Sequence, residues 1–142
     1  MKNRSILLVE DNADDVALML HALKSNRISN QISVAEDGEQ ALHMLFADAV
    51  EPAKQPALIL LDLNLPKVEG LEVLRQLRAH ADTRLIPVVV LTSSLEQSDL
   101  HNAYGCGANS YVRKPVDFEE FVQVTRDLGH YWLQLNYPAL EA

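Results

Sequence analysis

The stretch ALILLDLNLP, residues 57–66, decides the fold. Ala57 through Leu61 are apolar at consecutive positions, with none of the polar alternation of a half-exposed strand. Such a run reads as a parallel β-strand covered on both faces. Asp62 stands at its tip, followed by Leu63, Asn64, Leu65 and Pro66. A buried strand fixes the place of that carboxylate, and the loop after it leaves the carboxylate accessible.

Four further runs lie outward from this one: SILLV (Ser5–Val9), QISVA (Gln31–Ala35), IPVVVL (Ile86–Leu91) and SYV (Ser110–Val112). The second is the most polar, as an edge strand would be, and the β-branched residues of the fourth favour strand over helix. Helix-period segments separate them. Val16, Met19, Leu20 and Leu23 mark the first. Leu42, Leu45 and Phe46 mark the second, and Leu71, Leu74 and Leu77 the third. Leu100, Ala103 and Tyr104 mark a weak fourth helix (α4). Phe118, Phe121, Val122, Thr125, Leu128 and Trp132 mark a strong fifth (α5). The loop EPAKQPA, with two prolines, divides the second helix from the third strand. The pattern is (βα)₅. Right-handed crossovers then place helices on both faces of a parallel sheet. Sites in such sheets lie at the carboxyl ends of the strands, near the switch in strand order.

Composition narrows the function classes. The chain has 142 residues, enough for one domain with a real core, and 48% of them are hydrophobic. No apolar run approaches the ~20 residues of a membrane span, and Ile6–Val9 is too short for a signal peptide. The net charge of −8 argues against a nucleic-acid binder. The single cysteine, Cys106, forms no internal disulfide and suits the cytoplasm. His21, His43, His80, His101 and His130 show no metal-ligand spacing, and GCGANS (105–110) reads as a helix C-cap turn rather than a dinucleotide loop.

The strand ends carry the chemistry. The first ends in Glu10-Asp11, the third in Asp62, the fourth in Thr92 ahead of Ser93 and Ser94, and the fifth leads to Arg113, Lys114 and Pro115. Two carboxylates ~5 Å apart at an effective dielectric of about 20 repel by about 3 kcal/mol. One lysine against three carboxylates leaves two negative charges uncompensated, the charge of one Mg²⁺. That ion takes oxygen ligands and commonly joins carboxylates to phosphate oxygens. A carboxylate can itself attack phosphorus to form an acyl phosphate. Asp62, between the two flanking sites, is the best nucleophile, with Lys114 and Thr92 as phosphoryl-oxygen donors.

LLVEDN, LLDLNLPKVEG, VVVLTSS and SYVRKP occur here in order and at spacings that resemble the receiver domain of two-component response regulators, over residues 4 to about 130. That resemblance implies a flavodoxin-like, doubly wound parallel sheet of strand order 2-1-3-4-5. It also implies phosphotransfer from the phosphohistidine of a histidine kinase to Asp62. It makes Glu10, Asp11, Asp62 and the backbone carbonyl of Asn64 the Mg²⁺ ligands, Thr92 the switch hydroxyl, Tyr111 the switch aromatic and Lys114 the phosphate-binding lysine. The Lys114–Pro115 bond is expected to be cis. Glu10 stands where Asp is also common, and Asn64 and Ser94 hold the two positions that tune phosphoryl loss.

LVEDNADDV, LDLNLPKVEG and HYWLQLN are further similar to the small single-domain regulators of cyanobacterial phytochromes. These imply a light-regulated kinase as donor and a homodimer formed through the α4–β5–α5 face, β5 being the fifth strand. Residues 1–133 then form the receiver domain and 134–142 a C-terminal tail available for dimer contact. Few residues follow the fifth helix, which points to output by protein contact rather than by DNA binding. The expected protein is a cytoplasmic phosphoacceptor that assists its own phosphotransfer and dephosphorylation, with no membrane or nucleic-acid partner. The alternative is a pseudo-receiver acting as a phosphorylation-independent interaction module. A haloacid-dehalogenase-like phosphatase would want a D-x-D loop after the first strand, and a flavodoxin-type FMN carrier a Ser/Thr/Gly-rich one; EDNAD is neither.

Overall fold

The computed structural model describes residues 5–25, 30–46 and 55–139. Most of the EPAKQPA loop, the first four residues of the expected domain and the last three of the tail lie outside that set.

The strands are β1 (Ile6–Val9), β2 (Ile32–Ala35), β3 (Leu58–Leu61), β4 (Val88–Thr92) and β5 (Ser110–Arg113). The helices are α1 (Ala13–Ser25), α2 (Gly38–Phe46), α3 (Gly70–Ala79), α4 (Gln97–Gly105) and α5 (Phe118–His130), which runs into a π-helical turn at Tyr131–Leu135. All strand pairs are parallel and the order is β2-β1-β3-β4-β5, as expected. β4 begins two residues later than its apolar run because Pro87 has no N–H for the ladder. Its carbonyl still accepts from Ile59 N at 3.0 Å.

The three central strands are buried at every position, while β2 and β5 are half-buried edges. Alternation along the strands divides the core in two. Leu7, Val9, Ile59, Leu61 and Val88 face Ala41, Leu45, Val73, Leu74 and Leu77 of α2 and α3. Ile6, Leu8, Leu58, Leu60, Val89 and Leu91 face Met19 and Leu23 of α1 and Phe121 of α5. Each such leucine contributes ~1.5–3 kcal/mol by leaving water. α4 covers less: Ala103 meets Leu63 and Val90 in a small third cluster, with Tyr111 against it.

The fifth helix departs from its expected face at two residues: Val124 packs on the core where Val122 was expected, and Phe118 lies outside it. Phe118 is 70% exposed. It is the first residue after the N-cap Asp117, whose carboxylate accepts from Glu120 N at 3.0 Å, and so it precedes the turn that reaches the sheet. Beyond α5, Leu133 is buried in the α1–α5 side of the core, whereas Leu135 and Tyr137 are exposed.

Two loops tie the helices to the strand ends. In the β3–α3 loop, Gly70 N donates to Leu63 O at 3.1 Å, and Lys67 takes a left-handed φ of 68°. A Cβ at Gly70 would collide with the Asp62 carbonyl and Leu63 Cα. At the opposite edge, the Arg78 guanidinium donates to Gly107 O, Arg84 O, Ile86 O and Asn109 Oδ1, all at 2.8–2.9 Å. It clamps the end of α3 to the loops before β4 and β5.

Candidate functional site

One backbone bond just beyond the ends of β1, β3 and β5 sets each site residue in place. Glu10 N donates to Ala35 O and Asp62 N to Val9 O, both at 3.0 Å, and Lys114 N donates to Thr92 O at 2.8 Å. The carboxyl ends of β1, β3 and β5 therefore deliver Glu10, Asp62 and Lys114 to one rim. They line an open cleft of about 560 Å³ together with Asp11, Asp15, Asn64 and Ser93.

Lys114 Nζ lies 2.6 Å from Glu10 Oε1, 2.9 Å from Asp62 Oδ2 and 2.9 Å from Asp15 Oδ2. Its side chain is 9% exposed. Burial works against the ammonium charge, but hydrogen bonds from Glu10, Asp15 and Asp62 outweigh it and hold the Lys114 pKa above its ordinary value. At Glu10 the balance falls the other way, and burial wins. Burial pushes its carboxyl from 4.5 up to about 7, and the Asp62 charge adds to this, although Lys114 pulls it down. The remaining oxygens are engaged by backbone: Glu10 Oε2 accepts from Asn12 N and Asp62 Oδ1 from Asn64 N, each at 3.1 Å.

A single ammonium thus leaves the acidic group under-neutralised. Glu10, Asp11 and Asp62 each offer a carboxylate oxygen, all within 4.8 Å of one another. A hard divalent cation with oxygen ligands fits that donor set.

The structure joins Glu10, Asp11, Asp62, Asn64 and Lys114 at the cleft as the sequence suggested. Thr92 stands behind the rim. It is fully buried, its Oγ1 accepts from Ser94 N at 3.3 Å, and Ser93 takes the place beside the cleft. Tyr111 is half-buried, with its hydroxyl donating to Ser94 O at 3.5 Å. One expectation is corrected. No cis peptide bond occurs among the described residues, so Lys114–Pro115 is trans. Trans is the lower-energy form of an X–Pro bond by about 0.5–1 kcal/mol, and Lys114 reaches all three carboxylates with it.

Asp15 was missed. Its signal lay in EDNADD: Asn12 caps α1, its Oδ1 accepting from Asp15 N at 3.1 Å. Asp15 therefore sits in the first turn, on the helix face that looks back toward Glu10.

The family profile of the response regulator receiver domain matches residues 6–126. The chain belongs to the response regulator receiver family. A 131-residue alignment is 40% identical to the probable methanogenesis regulatory protein FilR2 of Methanothrix harundinacea, covering 92% of this chain and 84% of that one. Response regulator Rcp1 of Synechocystis is 36% identical over 136 residues, covering 94% and 92%. Its solved Mn²⁺-bound form superposes with a TM-score of 0.88, at 34% identity over 95% of this chain and 98% of that one. The phosphorylated cyanobacterial phytochrome response regulator RcpA also gives 0.88, at 32% identity over 96% and 99%. This receiver is thus a signalling protein of the two-component class, related to phytochrome response regulators. No helix among its described residues is long and apolar enough to cross a membrane.

Proposed function

We propose that this receiver takes a phosphoryl group on Asp62 from the phosphohistidine of a histidine kinase, and that the kinase is a phytochrome. The observation that carries the chemistry is Asp62 itself: a buried carboxylate at the mouth of the cleft, oriented through Oδ1 by Asn64 N and through Oδ2 by Lys114. The phytochrome assignment is supported by the likeness to RcpA across nearly the whole chain.

An Asp62 oxygen attacks the phosphorus, and the P–N bond to the donor imidazole breaks. The bonding pair stays on that nitrogen, and because the ring's other nitrogen carries a proton, the donor leaves as neutral imidazole. Mg²⁺, held by Glu10, Asp11, Asp62 and the Asn64 carbonyl, would offset phosphoryl charge and orient the group. Lys114 supplies N–H donors to the phosphoryl oxygens. The Thr92 hydroxyl donates to another after leaving Ser94 N, and Tyr111 follows into the space it vacates. This reading is supported by the bonds that Thr92 Oγ1 and the Tyr111 hydroxyl both make to Ser94 in the β4–α4 loop. The signal then leaves through the α4–β5–α5 face as a homodimer contact, joined by the tail after residue 133. The same pocket assists hydrolysis of the acyl phosphate. A kinase donor of this class works in the cytoplasm, and the acidic surface of the chain suits a protein partner rather than nucleic acid.

Intact-protein mass spectrometry after incubation with acetyl phosphate and Mg²⁺ tests the reading. Wild type is expected to gain one phosphoryl mass, and Asp62→Asn or metal-free wild type to gain none. Absence of an adduct at short times, with no binding of beryllofluoride, would overturn it in favour of a phosphorylation-independent interaction module.

A further inference from the structure

Lys114 has three N–H donors and spends all three on carboxylates: Glu10, Asp62 and Asp15. These partners differ in what else they do. Glu10 and Asp62 belong to the trio whose oxygens converge within 4.8 Å, and Asp15 does not. Asp62 is also the phosphoacceptor in the reading above. A cation and a phosphoryl group would therefore compete with Lys114 for Glu10 and Asp62 and leave Asp15 untouched.

The local geometry of α1 explains why Asp15 is available. An acidic residue three positions after an N-cap ordinarily turns back to accept from the N–H of the cap residue. Here that N–H, on Asn12, is already taken by Glu10 Oε2 at 3.1 Å. Asn12 Oδ1 in turn satisfies Asp15 N at 3.1 Å. Both bonds of the cap are thus made without the Asp15 carboxylate, which is 22% exposed and points across the cleft to Lys114.

We propose that Asp15 is a positioning residue, the fixed anchor of Lys114. It keeps one N–H of the ammonium while the other two pass from Glu10 and Asp62 to the incoming phosphoryl oxygens. The lysine then pivots about one bond and does not have to be captured anew from solvent. This rests on Asp62 being the phosphoacceptor.

The test uses Asp15→Ala and Asp15→Asn, with Asp14→Ala as a control from the same turn. The first readout needs neither metal nor phosphoryl group: the side-chain ammonium NMR signal of Lys114 in the metal-free protein. It is expected to be sharp and slowly exchanging in wild type and Asp14→Ala, and to exchange measurably faster in Asp15→Ala, which keeps only the bonds to Glu10 and Asp62. With Mg²⁺ and beryllofluoride it is expected to persist in wild type alone among the wild-type and Asp15→Ala pair. The second readout is the rate of phosphorylation by acetyl phosphate. Asp15→Ala is expected to slow it about tenfold, the scale of one lost charge-assisted hydrogen bond. Asp15→Asn, which keeps an acceptor, is expected to fall between. In a Lys114→Met background, Asp15→Ala is expected to cost nothing further. An unchanged ammonium signal and rate in Asp15→Ala, or a loss that persists in the Lys114→Met background, overturns the anchor. Failure of wild type itself to accept a phosphoryl group overturns instead the reading on which it rests, and the metal-free signal then shows whether Asp15 holds Lys114 at all.

Discussion

At the scale of single residues, Glu10 carries a consequence for pH. Its carboxyl titrates near 7 in the fold, against an ordinary 4.5, because it is buried and faces the charge of Asp62. The folded protein therefore binds a proton between these values that the unfolded chain has released, and metal-free stability falls as pH rises through that window. The span corresponds to an order of ~3 kcal/mol. Urea denaturation of metal-free protein is expected to show wild type losing stability from pH 5 to 8, and Glu10→Gln losing much less. In the proposed reading Mg²⁺ would displace the same proton, so its Kd is expected to drop as pH rises through 7. A wild-type profile parallel to that of Glu10→Gln would contradict this. Glu10, Asp11, Asp62 and Lys114 were all legible in the sequence because each follows an apolar run that can only be a strand. Asp15 was not. A helix-start acid looks alike whether it caps its own helix or reaches across a cleft, and only the bond from Glu10 to Asn12 N separates the two.

At the scale of elements, the β3–α3 loop makes the site depend on a missing side chain. Any Cβ at Gly70 meets backbone atoms of Asp62 and Leu63, which cannot rotate away. Gly70→Ala is expected to cost about 1–3 kcal/mol as an overpacked position and to slow phosphorylation of Asp62 by displacing it. Gly105, the last residue of α4, has open space where its Cβ would stand. Gly105→Ala is expected to add up to about 1 kcal/mol through helix propensity alone. Chemical denaturation of both variants checks the pair, and equal effects would refute the contrast. The strands were readable to within two residues because burial on both faces leaves so few sequences possible. The face of α5 was readable except at Phe118 and Val122, since periodicity tells which residues align but not where the helix first meets the sheet or which of two nearby valines packs.

At the scale of the whole molecule, Tyr104, Val116 and Phe118 leave apolar surface on α4, the β5–α5 loop and the start of α5, with Val116 98% exposed. Patches of that kind mark contacts. Size-exclusion with light scattering is expected to show wild type becoming a dimer with Mg²⁺ and beryllofluoride, and Phe118→Asp remaining a monomer. A dimer undiminished in Phe118→Asp would place the contact elsewhere. The tail shows what composition could not decide: Leu133 belongs to the protein's own core, and Leu135 and Tyr137 do not.

The Arg78 clamp gives α4 two unlike ends. At its C-terminal side, Gly107 and Asn109 are bolted to α3 by a guanidinium. At its start the ties run to the β4–α4 loop: Asp99 accepts from the Ser94 hydroxyl at 2.5 Å, and the N-cap Glu96 accepts from the Ser98 hydroxyl at 3.5 Å. In the proposed switch, a push from Thr92 and Ser94 would enter the first turn of α4 through the Ser94–Asp99 bond, while the far end stays clamped. The expected motion is then a swing: the turn near Gln97 would travel farthest, the turn at Gly105 hardly at all, and a reader of this surface would sense an angle more than a distance.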